Sequence, residues 1–181
     1  MKLRTISVFL FISAIACGAF AATATATLAV SGTVASSVSV ALATGTGGAT
    51  LGGTPTAATL ALGTFGRSTT ISNWTKDTSS ASSYSFSTPV NVTIDASNTT
   101  STAATVTAYL NSSVTGVTYS FGGTDVTSTN SGSPTTISGT TYTLDSNKNY
   151  TGDNTFKVTV AESVAGGTDI ANTINFTVTV N

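Results

Sequence analysis

The chain has 181 residues, only 7% of them charged: six Lys or Arg against seven Asp or Glu, with no His, one Cys and one Trp. Without histidine, nucleophilic arrangements that use imidazole as their base cannot be assembled, and zinc sites built from Cys and His are excluded. Charges this few and scattered offer neither the clustered Lys and Arg of a nucleic-acid surface nor a basic patch for anionic lipid.

Residues 1–21 read as an export signal. Lys2 and Arg4 form a short basic region, residues 6–16 are an apolar run, and Ala19-Phe20-Ala21 supplies the small residues for a cut after Ala21. The run is too short for a bilayer, which takes about 20 apolar residues, and no later segment is apolar enough to span one. Ala14-Ile15-Ala16-Cys17 also loosely fits a bacterial lipoprotein cut with lipid added at Cys17, without the usual Leu; the competing reading discards Cys17 with the leader. Either way the folded part holds no thiol for an internal disulfide, and with Lys2 and Arg4 removed its net charge is −3. The expected location is secreted, extracellular or cell-surface, with the periplasm in transit. About 160 residues suffice for one domain with a sizeable core.

Ala and Thr alternate through residues 22–29. Leu28, Val30, Val34, Val38, Val40 and Leu42 then keep to even positions, which predicts one long strand or two collinear ones broken near Gly32. Residues 44–55, rich in Gly and Thr, read as a mobile loop. Leu60, Leu62 and Phe65 mark a strand ending at Gly66. Tyr84, Phe86, Val90, Val92 and Ile94 mark the next, and Pro89 assigns it an edge or a bulge, because proline cannot donate a ladder bond. Residues 105–110 and 117–121 follow, and Gly122-Gly123 predicts a tight hairpin into Asp125-Val126-Thr127. Thr136-Ile137 and residues 142–144 are shorter, and two alternating runs, 156–160 and 174–180, close the series. No window shows helical spacing. The chain is therefore expected to be a single all-β domain over residues 22–181, an antiparallel β-sandwich of about 8–10 strands, immunoglobulin-like or pilin-like, with no helix outside the leader.

Paired carboxylates are the remaining catalytic option, since a glycosidase needs two acids across a cleft. The acids here are scattered, mostly beside Ser, Asn or Gly, where Asp commonly serves a turn. The chain is accordingly read as not an enzyme and as needing no cofactor. Two stretches are weighed as ligand sites. Asp145, Asn147, Asn149 and Asp153 offer oxygens in the manner of a calcium loop, but Gly152 falls two places late for an EF-hand turn and no Glu occupies the twelfth position. The competing reading is a hairpin loop between the strands of Tyr142 and Phe156. Trp74, with Asp77 or Asn73 bonding hydroxyls, could stack on a sugar ring; the competing reading has this Trp covering one end of the core. Asn-x-Ser/Thr triplets at Asn73, Asn91, Asn98, Asn111, Asn149 and Asn175 arise readily by chance in so Thr-rich a chain.

The two extended ends carry the functional expectation. An exposed last strand, 174–180, would leave the kind of unpaired edge that soluble proteins avoid, and a strand from another copy is one way to fill it. Residues 22–30, alternating and small, suit that task. The stretch Ala22-Thr-Ala-Thr-Ala-Thr-Leu-Ala-Val30, the segment Leu60-Ala61-Leu62-Gly63 and the ending Asn172-Thr-Ile-Asn-Phe-Thr-Val-Thr-Val-Asn181, together with the leader, resemble bacterial fimbrial-type and spore-coat-U-like surface proteins. The resemblance covers both ends and little of the middle. It implies a surface fibre or coat subunit, a homo-oligomer built by strand addition. Many such subunits carry a disulfide near the start; its absence here sets chaperone-assisted assembly against a simple surface-attached sandwich. The expected function is thus a non-catalytic structural or adhesive surface protein, with a glycan- or calcium-binding module as the alternative. No membrane span and no nucleic-acid partner are expected.

Overall fold

The computed structural model describes residues 37–180. The leader, Cys17 and the alternating segment 22–36 lie outside the described residues. Among the described residues there is no helix, and the fold is all-β. The strands are β1 (Ser37–Thr44), β2 (Gly52–Thr54), β3 (Ala57–Thr59), β4 (Thr75–Asp77), β5 (Ser83–Ser97), β6 (Ala103–Leu110), β7 (Val117–Phe121), β8 (Thr124–Val126), β9 (Thr135–Thr136), β10 (Tyr142–Thr143), β11 (Asn149–Ala161) and β12 (Ile174–Val180). One sheet runs β1-β5-β11-β7-β8, with β4 also on β5; the second runs β10-β6-β12, with β9 also on β6; β2 and β3 form a small hairpin. All pairings are antiparallel.

Period-two alternation explains which faces meet. Along β5, Phe86, Val90, Val92, Ile94 and Ala96 are buried, and along β6, Ala104, Val106, Ala108 and Leu110 are buried; both sets belong to one core. Phe121 of the first sheet packs on Phe176 of the second, with ring centroids 4.7 Å apart. The predicted hairpin at Gly122-Gly123 is present: both residues have positive φ and connect β7 directly to β8, a turn that favours glycine.

Three sequence expectations are corrected. Tyr84 to Ile94 do not form an edge or bulged strand; they belong to a continuous central strand, β5. The Ala96 and Glu162 amides bond to Lys148 and Ser82 carbonyls, so even positions of β5 face β11 and odd positions, Pro89 included, face β1 and β4. Pairing with β4 stops at Ser87 and pairing with β1 begins at Val90, so the missing Pro89 N–H falls where no ladder bond is required. Second, the Gly-rich stretch 44–55 is docked against that proline and contains β2. A Cβ on Gly48 would lie 2.4 Å from the Pro89 carbonyl oxygen, so only glycine allows this approach, and Ala49 N–H donates to Thr88 Oγ1 at 2.7 Å. Third, Leu60, Leu62 and Phe65 are not in a strand. Their alternation aims apolar side chains at the core without a neighbouring strand to complete a ladder.

The core contains one polar knot. The Tyr142 hydroxyl donates to Asn154 Oδ1 at 3.2 Å, and Asn154 Nδ2 donates to the Gly152 carbonyl at 3.2 Å. No buried side-chain N or O lacks a partner among the described residues. Burial pushes the Tyr142 phenol up from 10.0 to about 12. Its neutral form therefore contributes stability in full below about pH 10, and that contribution is lost as pH rises through about 12. The urea midpoint should fall across this window, and less steeply in Tyr142→Phe, which has no proton to lose. Equal slopes in the two proteins would overturn the assignment.

Candidate functional site

Two irregular segments, 60–74 and 163–173, stand beside the sheets and leave a cleft of about 660 Å³ with apolar walls and a polar rim. Val90 and Phe156 of the first sheet and Ile174 and Phe176 of the second line it, with Leu60, Leu62 and Phe65 as one wall and Ile170 in the other. A volume of this size lies within the usual range for ligand and peptide pockets.

Side chains tie both walls to the rest of the fold; Asn172 Nδ2, for one, donates to the Ser112 carbonyl at 2.6 Å. Arg67 Nη1 donates to Glu162 Oε1 at 2.7 Å and to the Ser83 carbonyl at 3.1 Å, while Nη2 donates to the carbonyls of Thr78 at 2.8 Å and Ser80 at 2.7 Å. The ion pair is solvent-exposed and contributes at most about 1 kcal/mol. Its value is positional, since it ties the first wall to the start of the second. Tyr119 donates its hydroxyl to the Ile170 carbonyl and so holds the second wall; burial raises its pKa.

Beside the cleft runs an unpaired edge. Among the described residues β12 pairs only with β6. The Asn111 amide donates to the Thr173 carbonyl at 3.0 Å, so odd positions of this strand face β6. Ile174, Phe176, Val178 and Val180 consequently turn their N–H and C=O groups to the free edge. The same four residues stand opposite the buried Leu110, Ala108, Val106 and Ala104, so their side chains point to the core, where they are only half-buried. Across the opening, β1 approaches β12 and leaves Val38 40% exposed. A row of backbone donors and acceptors thus lies beside the cleft, the kind of edge that strand addition uses.

The residues singled out from sequence are dispersed. Trp74 is 8% exposed and packs edge-on against Phe156 with centroids 6.0 Å apart, so it covers the core and lines the cleft rather than offering a ring face on the outer surface. Asp77 lies opposite Ser85 on the outer face, and its carboxylate accepts the Ser79 amide at 2.8 Å, which with a smaller influence from Lys157 lowers its pKa. Asn73 takes up positive φ and its carbonyl accepts Thr88 Oγ1 at 3.0 Å. The suggested calcium loop is divided between two elements. Asp145 caps a turn by accepting the amides of Asn147 and Asn149, each at 2.8 Å; the turn crosses from β10 in the second sheet to β11 in the first, so it is not the hairpin the sequence suggested. Asn149 and Asp153 belong to β11, where Asp153 accepts Asn91 Nδ2 and the Thr46 amide, both at 2.9 Å, contacts that lower its pKa. No group of three or more Asp, Glu, His or Cys gathers into a metal cluster among the described residues.

Sequence reasoning missed Arg67 and misassigned the apolar wall it anchors. The available signal was an alternating run, 60–65, beside the one arginine outside the leader. No protein-family model, curated protein or solved structure matches the chain. No helix among the described residues is long and apolar enough to cross a membrane.

Proposed function

We propose that this chain is a non-catalytic structural subunit of an extracellular fibre or coat, exported and assembled by strand addition, with residues 22–30 as the exchangeable strand. The observation that carries this reading is that, among the described residues, one edge of β12 has no partner strand and lies beside a cleft. An edge of this kind is an aggregation liability unless a cognate strand covers it. The absence of histidine, the scattered acids and the uncharged stretch 22–36 accord with a structural rather than a catalytic role.

Light scattering and negative-stain microscopy of the exported protein test the proposal. Polymers or discrete oligomers are expected, and removal of residues 22–30 should leave monomers with an unfilled edge. A monodisperse monomer whose behaviour is the same with and without residues 22–30 would sink the reading.

A further inference from the structure

Independently of how copies assemble, we infer that the cleft between segments 60–74 and 163–173 binds an uncharged, largely apolar small molecule that presents a carbonyl oxygen to the Trp74 indole N–H. The inference needs the interior of the cleft and not the edge of β12.

Trp74 is a fixed group. Its ring meets Phe156 edge-on at 6.0 Å, and its backbone amide donates to the Ile71 carbonyl at 3.2 Å. The carbonyl of the preceding Asn73 accepts the hydroxyl of Thr88, a side chain only 1% exposed that also takes the Ala49 amide. Packing and backbone bonds therefore position the indole before any ligand arrives. Trp74 is 8% exposed, yet its indole N–H donates to no described residue. No buried side-chain N or O among the described residues lacks a partner, so this nitrogen is not sealed in the core; it opens on the cleft that Trp74 lines. A ligand filling the cleft strips water from that donor, and loses affinity unless it brings an acceptor in exchange.

The rest of the lining sets the ligand's class. Leu60, Leu62, Phe65, Phe156, Ile170 and Phe176 offer an apolar body surface to bury against. Tyr119, Thr168 and Asn172 spend their hydroxyl and amide groups on the Ile170, Ala165 and Ser112 carbonyls, so they brace the walls. Among the described residues no Lys or Arg lines the cleft, and its one charged lining residue, Asp169, is exposed and accepts the Ala171 amide at 2.8 Å. A carboxylate, sulfate or phosphate would be desolvated here with no cation to pair it, which excludes fatty acids and anionic lipids. A cleft of about 660 Å³ encloses a molecule of drug size.

Displacement of Nile red, an uncharged dye that brightens in apolar surroundings, tests this on the full chain. The dye should saturate at a single site and quench the fluorescence of the chain's one tryptophan. Competitors of matched size then separate the features: acetylnaphthalene carries the carbonyl, isopropylnaphthalene replaces it with hydrocarbon, and naphthoate carries a negative charge. Naphthoate should bind about tenfold more weakly than the ketone. Trp74→Phe keeps an aromatic ring beside Phe156 and removes the N–H, so the ratio of ketone to hydrocarbon affinity should fall about fivefold. Taking that ratio cancels any general loss of packing. Leu62→Lys, on the half-buried wall, should tighten naphthoate binding about tenfold. An unchanged ratio in Trp74→Phe, naphthoate bound by the natural chain as tightly as the ketone, or dye uptake that does not saturate would overturn the inference. So would dye taken up by oligomers alone, which would place it between copies. Absence of assembly by light scattering, with these ratios intact, defeats the assembly reading and leaves the inference standing.

Discussion

Joining β1 to β5 through Ser37→Cys and Ser97→Cys, in a Cys17→Ser background, should stabilise the fold by up to about 4 kcal/mol. The two serines are directly opposite in the ladder, and their hydroxyl oxygens are 2.7 Å apart. Opposed residues on antiparallel strands have Cα separations of about 4.5–5.5 Å, inside the range a disulfide tolerates. The bond would close a loop of about 60 residues, and the entropy removed from the unfolded chain sets the size of the effect. For a protein of this length the melting temperature should rise by roughly 10 °C under oxidising conditions and return on reduction. If strand addition operates as proposed, assembly should persist, because the edge proposed to accept the strand belongs to β12 and not to β1. Free-thiol titration with paired melts checks the result; a disulfide that forms and lowers the melting temperature would show that the β1–β5 register is wrong at this end.

Phe86→Ala should be the most damaging single truncation, costing about 3–5 kcal/mol. Phe86 is 0% exposed on the central strand, and the ring of Phe65 packs edge-on against it at 5.3 Å. Removing it opens a cavity and strips support from the wall carrying Leu60 and Leu62. Since whole-domain stabilities are about 5–15 kcal/mol, the variant should be near its unfolding threshold at physiological temperature. Amide exchange in residues 60–66 should accelerate more than in β6, and under the proposed strand addition assembly should fall with it. Ser85→Ala, one residue away on the outer face, should shift stability by less than about 0.5 kcal/mol. Similar losses for the two variants would refute the assigned facing of β5.

Much of this architecture was legible because a half-buried strand writes its facing into the chain with period two. The inward sets of β5, β6, β11 and β12 are the alternating Val, Ile, Phe and Ala of the sequence. Gly122-Gly123 announced its hairpin because few other residues accept two consecutive positive φ angles. Leu60, Leu62 and Phe65 misled for the same reason that β5 informed: alternation reports which way a side chain faces, not whether a neighbouring strand completes the ladder. Pro89 misled because its cost depends on what lies beside its nitrogen, and the break between β4 and β1 is visible only when three strands are in register.

By itself the sequence determined an all-β chain, the inward face of each long strand and the lack of a histidine base, because these follow from local periodicity and composition. Tertiary structure alone decided that Trp74 covers core, that Asp145 and Asp153 serve different elements, and that among the described residues one edge of β12 has no partner strand. Each of these depends on contacts between residues far apart in the chain, such as Arg67 with Glu162 or Tyr119 with Ile170, and no local pattern encodes which distant partner a segment will meet.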